Sequence, residues 1–170
     1  MDLRKHIRDV PDFPKPGILF KDITPLLGNP GAMAQVINDL AEPYRKAGVT
    51  KVVGIESRGF IFGAPVALAL NAGFVPIRKP GKLPWKSRKQ SYGLEYGKDT
   101  IEIHEDAVGP DDVVLIVDDV LATGGTASAA IDLVKLLGAP VLAAAFVIDL
   151  AFLGGAKKLG VPVSAVLTYS

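Results

Sequence analysis

The sequence predicts an α/β fold in which a mostly parallel, open sheet is flanked by helices. Apolar runs at residues 51–55, 113–117 and 141–148 have the continuous hydrophobic character of buried parallel strands. Segments with apolar residues at helical spacing lie between these runs. Strands that alternate with helices are joined by right-handed βαβ crossovers, and a mostly parallel sheet follows from such connections.

Each element has its own signal along the chain. Four prolines in residues 11–25 predict an ordered but irregular arm, because proline fixes its backbone and donates no hydrogen bond. The helix predicted over residues 60–72 is apolar on nearly all sides, which indicates burial. The remaining predicted elements are a helix over 30–46 that bends or ends near Pro43, a strand over 74–77, a short edge strand over 101–104, a helix over 127–137 and a strand over 163–167.

Composition restricts the classes of function that the chain can have. Its 170 residues, 49% of them hydrophobic, fit one domain spanning 1–170. Nineteen basic and eighteen acidic residues give no support to generic nucleic-acid binding. The absence of cysteine excludes disulfides and thiol catalysis, and two histidines do not suggest a histidine-rich metal site. Because the start lacks a signal sequence and residues 139–148 are too short to span a bilayer, we expect a cytoplasmic protein without membrane partners.

The segment 113–127 has the strongest chemical signal. Asp118 and Asp119 stand at the end of the predicted strand, and Thr123, Gly124, Gly125 and Thr126 follow before a helix. Backbone amides at a helix N-terminus suit a phosphate, and adjacent carboxylates suit a sugar diol or a divalent cation. No lysine follows the glycines, so this is not a Walker A loop. A tight turn with two solvated aspartates is the alternative interpretation.

A second turn of this kind spans residues 52–59, with the sequence V-V-G-I-E-S-R-G. Arg58 at a helix N-terminus suits an anion, because guanidinium donors and free amides point the same way. An arginine capped by Glu56 in an ordinary turn is the alternative. Two such turns in one sheet favour two anion sites.

A basic loop lies between these two turns, at residues 78–90. It contains six basic residues and no acidic one, together with two prolines and Gly81. The loop would serve as a lid that closes on a polyanion and excludes water. The alternatives are a solvated loop and a weak RNA-binding patch with Trp85 as a stacking platform.

The strand, the Asp–Asp pair and the T-G-G-T loop together resemble the phosphoribosyl pyrophosphate (PRPP) signature of the type I phosphoribosyltransferases. Within that family, the resemblance to the adenine phosphoribosyltransferases covers almost the whole chain: F-P-K-P-G-I-L-F-K-D-I-T-P-L-L, V-G-I-E-S-R-G-F-I-F-G-A-P-V-A, R-K-P-G-K-L-P, S-Y-G-L-E-Y-G and V-D-D-V-L-A-T-G-G-T. It implies a pentosyltransferase of purine salvage that transfers the phosphoribosyl group of PRPP to N9 of adenine, giving AMP and pyrophosphate. It also implies Mg²⁺ as cofactor, a homodimer and no nucleic-acid partner.

The resemblance also implies which residues bind PRPP. Asp118 and Asp119 would hold the ribose hydroxyls. Mg²⁺ would be bound mainly by PRPP, and the same two aspartates are the candidate protein ligands. The 5′-phosphate would be bound by Ala122, Thr123, Gly124, Gly125 and Thr126. The pyrophosphate would be bound by Glu56, Ser57, Arg58, Lys79 and Lys82, with a cis peptide bond between Glu56 and Ser57.

A hood arm (about 11–27) and a lid loop (about 78–97) would complete the site. In the hood, backbone groups of Leu19 and Lys21 would read the adenine edge, and Phe20 and Val120 would sandwich the ring. Most relatives carry arginine where this chain has Lys21. At the base of the lid, Tyr96 would accompany Glu95, the acid–base partner near N7, and Arg58 would be the second catalytic residue.

Two other functions fit parts of the pattern. A phosphoribosyltransferase for guanine, hypoxanthine or xanthine would differ in the hood. A PRPP-sensing regulator would keep the fold and bind nucleic acid, although the sequence carries no helix-turn-helix extension and its basic residues cluster only in the loop.

Overall fold

The computed structural model describes residues 1–94 and 97–170, which form strands β1 to β9 and helices α1 to α4. The strands are Arg8–Pro11 (β1), Leu19–Asp22 (β2), Lys51–Ile55 (β3), Gly73–Ile77 (β4), Ser87–Leu94 (β5), Gly97–His104 (β6), Val114–Leu121 (β7), Val141–Leu150 (β8) and Val163–Tyr169 (β9). The α-helices are Thr24–Leu27 (α1), Pro30–Ala41 (α2), Arg58–Ala69 (α3) and Gly125–Leu136 (α4). Short 3₁₀ turns cover Leu3–His6, Glu42–Tyr44, Ala151–Leu153 and Gly155–Lys158.

The main sheet of the described chain has the order β4-β3-β7-β8-β9, and all its neighbouring strands are parallel. This confirms the predicted α/β class and the open parallel sheet. Helix α3 connects β3 to β4 on one side, while α4 connects β7 to β8 on the other. The direction of strand addition therefore reverses between β3 and β7, and ligands of open α/β sheets bind at the carboxyl ends beside such a reversal.

Two apolar layers cover the two faces of the sheet. Along β7, Leu115 and Val117 face one cluster, whereas Val114 and Ile116 face the other. The first cluster is completed by α2 and α3, for example by Phe62, and the second by α4. Burial on both faces explains why β7 reads as an uninterrupted hydrophobic run.

Helix α2 is shorter than the sequence predicts. It begins where the Asn29 side chain accepts a hydrogen bond from the amide of Ala32 at 2.9 Å. It ends at Ala41, and a 3₁₀ turn containing Pro43 follows. Proline cannot continue the helical hydrogen-bond ladder, which accounts for the earlier end. No described helix is long and apolar enough to cross a membrane.

The structure refines two element predictions. The proline-rich arm is irregular over residues 12–18, but residues 19–22 form β2, which pairs antiparallel with β1 in a hairpin. The edge strand predicted over residues 101–104 is the second half of β6, which lies outside the main sheet and forms a second hairpin with β5. Ile101 and Ile103 alternate inward and pack on the second apolar cluster, which explains the alternating pattern. The basic loop therefore becomes a strand from Ser87 onward.

Candidate active site

One cleft of about 1220 Å³ lies at the carboxyl ends of β3 and β7, where the strand order reverses. The hood hairpin, formed by β1 and β2, the turn after β3, the loop after β7 and the turn end of the second hairpin all contribute to its walls. It brings together most of the residues that the sequence singles out: Leu19, Phe20, Lys21, Glu56, Ser57, Arg58, Lys79, Asp118, Asp119, Val120, Ala122, Thr123, Gly124, Gly125 and Thr126. Glu95 and Tyr96 lie outside the described residues. Lys82 does not line the cleft, although its Nζ contacts Glu56, which does.

The loop after β7 is shaped by close contacts between main-chain segments. Gly124 has a φ of +89°, a left-handed conformation that favours glycine, and α4 begins at the next residue. Gly155, which the sequence analysis did not single out, packs directly behind this loop. A Cβ on Gly155 would lie 2.4 Å from the carbonyl oxygen of Ala122, and one on Gly124 would lie 2.7 Å from the carbonyl oxygen of Gly155. Two glycines far apart in the sequence therefore fix the position of the loop amides.

Asp118 and Asp119 belong to the C-terminal half of β7 and do not follow the strand. The Asp118 Oδ1 accepts a hydrogen bond from the amide of Asp119 at 2.9 Å. It also lies against Gly59 of α3, where a Cβ would come within 2.7 Å of it. Burial raises the pKa of Asp118 well above its ordinary value, and the negative charge of Asp119 raises that pKa further. The pair is poised for partners that donate hydrogen bonds or bring positive charge.

Arg58 reaches toward this pair and toward the hood. Its Nε lies 2.7 Å from the Oδ2 of Asp119, whose side chain is only 7% exposed. The contact is an ion pair without good hydrogen-bond direction, because that Oδ2 has no hydrogen-bond partner among the described residues. The Arg58 guanidinium carbon also lies 5.5 Å from the ring centre of Phe20. Arg58 therefore stands between the aspartate pair and the hood.

Glu56 organises the positive charges beside β3. Its carboxylate accepts hydrogen bonds from the Arg78 guanidinium at 2.8 Å, the Lys79 amide at 2.6 Å and the Lys82 Nζ at 2.8 Å. Burial acts to raise the pKa of Glu56, but the hydrogen bonds from Lys82, Lys79 and Arg78 outweigh it and lower the pKa to about 2. Its side chain thus faces cations. The peptide bond between Glu56 and Ser57 is cis, as expected from the sequence.

A chain of hydrogen bonds that the sequence analysis missed joins the loop after β7 to the cations beside the turn after β3. The Thr126 hydroxyl donates to the Tyr92 hydroxyl at 3.0 Å, and the Tyr92 hydroxyl donates to Asp99 at 3.0 Å. Asp99 also forms an ion pair with Lys79. The hydrogen bond from Lys79 lowers the pKa of Asp99. Only the S-Y-G segment hinted at Tyr92, and nothing local signalled Asp99.

The side chain of Lys21 points away from the aspartate pair. Its Nζ lies 2.6 Å from the Asp9 carboxylate on the neighbouring strand and 4.2 Å from the ring centre of Tyr169. The Phe20 ring, next along β2, packs edge-on against Phe13 and faces Arg58. Alternation along the strand thus sends Lys21 and Phe20 to opposite faces of the hood.

The donor set suits a magnesium ion that is held mainly by a phosphorylated ligand. Among residues 1–94 and 97–170, no three His, Cys, Asp or Glu side chains are grouped so that they could hold a metal ion by themselves. Mg²⁺ binds through one or two carboxylates plus phosphate oxygens and retains waters, so a complete protein cage is not needed. Asp118 and Asp119 supply such carboxylates, and the Asp119 Oδ2 is a buried acceptor with no hydrogen-bond partner in the described chain.

Comparison with known proteins identifies close relatives. Residues 27–158 match the family described as phosphoribosyl transferase domain. An adenine phosphoribosyltransferase of Edwardsiella ictaluri is 60% identical over 157 residues, which cover 92% of this chain and 86% of that protein. The crystal structure of adenine phosphoribosyltransferase from Rhodothermus marinus superposes with a TM-score of 0.93 at 57% identity, covering 98% of this chain and 96% of that one. The Saccharomyces cerevisiae enzyme, in a complex that includes adenine, has a TM-score of 0.90 at 45% identity, with coverages of 95% and 94%.

Proposed function

We propose that the cleft binds PRPP and adenine side by side, because this chain belongs to the phosphoribosyl transferase family and within it to the adenine phosphoribosyltransferases. As an enzyme of purine salvage, the chain transfers the phosphoribosyl group of PRPP to N9 of adenine and releases pyrophosphate. One observation carries the assignment of the cleft. The hood, the turn after β3 and the loop after β7 are far apart in the sequence and line the same cleft.

The loop after β7 is the proposed site for the phosphorylated sugar. Amides at Gly124, Gly125 and Thr126 surround the N-terminus of α4, where the helix dipole favours a phosphate group. Asp118 and Asp119 would accept hydrogen bonds from the ribose hydroxyls. Those donors and a nearby cation favour the ionised form of Asp118, and so offset the burial that raises its pKa.

The turn after β3 is the proposed site for pyrophosphate, with Ser57, Arg58, Lys79 and Lys82 as its groups. These cations already have acidic partners: Lys79 pairs with Asp99, Lys82 with Glu56 and Arg58 with Asp119. These carboxylates hold the cations close to the site before the ligand arrives, and pyrophosphate would then compete with the carboxylates for them. Glu56 takes part through its hold on Lys79 and Lys82.

In the proposed reaction the bond from ribose C1 to a pyrophosphate oxygen breaks, and its electron pair leaves with pyrophosphate. Adenine N9 forms the new bond to C1, and a proton leaves the base. Arg58 and the lysines stabilise the growing charge on pyrophosphate, which is the kind of electrostatic stabilisation that contributes most to many enzymes. When bound, Mg²⁺ would supply further positive charge to the reaction, and Asp118 and Asp119 are the residues that would hold it. Glu95 is proposed as the acid–base partner near N7 of the purine.

The base would lie between the hood and β7. Phe20 and Val120 both line the cleft and offer apolar surfaces for the two faces of a purine ring. Backbone groups of Leu19 and Lys21 would read its edge. Backbone reading is compatible with lysine at position 21, because that side chain is engaged elsewhere by Asp9 and Tyr169.

The proposal is tested by measuring product formation from PRPP and Mg²⁺ with adenine, guanine, hypoxanthine and xanthine. We expect AMP as the main product. Preferred formation of GMP, IMP or XMP would favour the other purine specificities. If no pyrophosphate is released with any base but PRPP changes the binding of RNA or promoter DNA, the chain is a regulator. Omitting Mg²⁺ should abolish turnover, and full activity without any divalent cation would refute its assignment. A cytoplasmic location stays a prediction of the sequence.

A homodimer is also part of the proposal. Ile61 and Leu68 of α3 are 38% and 82% exposed, and a spacing of seven places them on one side of the helix. A second copy that covers this side would bury both, and a stable interface buries about 800 Å² per partner. Sedimentation equilibrium should give a dimer that L68E weakens. A monomer at micromolar concentration would refute it.

A further inference from the structure

The hood hairpin is not joined to the domain by strand pairing. Within the described chain, β1 and β2 pair only with each other and not with the five-stranded sheet. A lone two-stranded hairpin is marginally stable in water. The position of the hood over the cleft therefore depends on side chains that join it to the body.

Tyr169, at the end of β9, is the centre of one such attachment. The Lys21 Nζ of the hood lies 4.2 Å from the centre of its ring, and the guanidinium carbon of Arg4 lies 4.7 Å from it. Arg4 also donates a hydrogen bond to the carbonyl oxygen of Thr168 at 2.8 Å. Two cations from the N-terminal segment thus contact one aromatic ring on the last strand, in the range of cation–π attraction.

Lys21 connects the Tyr169 ring to the hood. The side chain of Lys21 is 10% exposed, and its Nζ is also held by Asp9, which lies directly opposite it in the hairpin. Because neighbouring side chains of a strand point to opposite faces, fixing Lys21 against Tyr169 turns Phe20 toward the cleft. Tyr169 itself is not among the described residues that line the cleft.

We infer that Tyr169 is a positioning residue for the purine: its ring holds the hood at the distance from β7 that a purine ring requires, directly through Lys21 and indirectly through Arg4 of the 3₁₀ turn that precedes β1. This inference rests on the proposed adenine site. Its consequence is selective. The loop after β7 and the turn after β3 make no contact with Tyr169 in the interactions described above, so the binding of PRPP should not depend on this ring.

The experiment compares Y169L with Y169F in steady-state kinetics. Leucine keeps an apolar side chain but has no aromatic face, whereas phenylalanine keeps that face and loses only the hydroxyl. We expect Y169L to raise KM for adenine about tenfold, which corresponds to about 1.4 kcal/mol. In Y169L, KM for PRPP should stay within about twofold of the wild-type value. Y169F should keep the wild-type KM for adenine, since the ring face carries the attraction.

A second variant keeps the test decisive if Y169L folds poorly, as judged by circular dichroism. R4M removes one of the two cations and its hydrogen bond to the Thr168 carbonyl oxygen, but it leaves every side chain of β9 in place. It should raise KM for adenine about threefold without changing KM for PRPP. An unchanged KM for adenine in Y169L or R4M, or an equal rise in both KM values, would overturn the inference. Wild-type protein that forms no AMP would instead refute the proposed function.

Discussion

Replacing Gly155 with alanine tests whether the loop after β7 is positioned by the segment behind it. The new Cβ would lie 2.4 Å from the carbonyl oxygen of Ala122, 3.1 Å from the amide nitrogen of Gly124 and 3.1 Å from a methyl group of Leu121. Ordinary contact begins at 3.4 Å, so the Ala122 carbonyl and residue 155 must separate by about 1 Å (3.4 minus 2.4). Both are main-chain groups and neither can turn aside as a flexible side chain would.

The expected losses follow from that displacement. Overpacking of a close-packed site destabilises a protein by about 1–3 kcal/mol. A misplacement of about 1 Å at a catalytic site can lower the rate by about 10²-fold. We therefore expect G155A to lose about 10²-fold in kcat/KM for PRPP. KM for adenine should change much less, because the hood is built from other segments.

The assay combines steady-state kinetics with urea unfolding of wild type, G155A and a control. G109A is the matched control, because a Cβ on Gly109 has no neighbour within 4 Å and the residue does not have a positive φ. We expect G109A to behave as wild type. If G155A keeps both its kcat/KM for PRPP and its free energy of unfolding, the proposed role of Gly155 is wrong.

Three further predictions concern the cleft. R58A and E95Q should each lower kcat by about 10²–10³ while circular dichroism stays unchanged, and near-normal turnover would remove that residue from the mechanism. Glu56 has a lowered pKa of about 2, so its contribution to stability is complete above its ordinary pKa of 4.5 and is lost as the pH falls toward 2. Between pH 4.5 and 2, the free energy of unfolding of E56Q should therefore fall less with pH than that of the wild type. Y92F should lower the free energy of unfolding by about 1–3 kcal/mol, since it removes the bonds to Thr126 and to a carboxylate.

A second tyrosine provides the control for Y92F. The Tyr44 hydroxyl is hydrogen-bonded to the Ser164 hydroxyl at 2.7 Å, and both groups are neutral. Y44F should therefore lose less stability, about 1 kcal/mol, and should leave turnover unchanged because Tyr44 does not contribute to the cleft lining described above. Equal stability losses in the two variants would contradict the importance of Asp99.

For Glu56, the same dependence of the free energy of unfolding on pH in wild type and E56Q would contradict the stabilising role of its carboxylate.

Local signals were sufficient to predict the elements that carry the site. Residues 113–117 read as a buried strand because both faces of β7 are covered, and the glycine pair marked the turn into α4. The hood was recognised as a separate segment from its prolines, but not as a hairpin. Its strand pairing joins Asp9 to Lys21 across a turn, and such pairing is set by register rather than by local composition.

The sequence by itself determined the fold class and the two turns, because periodicity, glycine placement and motif spacing are properties of neighbouring residues. The family was recognised from the resemblance of whole motifs to those of known proteins. Tertiary structure alone decided which side chains meet. Gly155 behind Ala122, Tyr92 on Thr126 and Tyr169 against Lys21 each join segments that are distant in the chain. Such contacts depend on how strands and helices pack in three dimensions, and no local pattern encodes them.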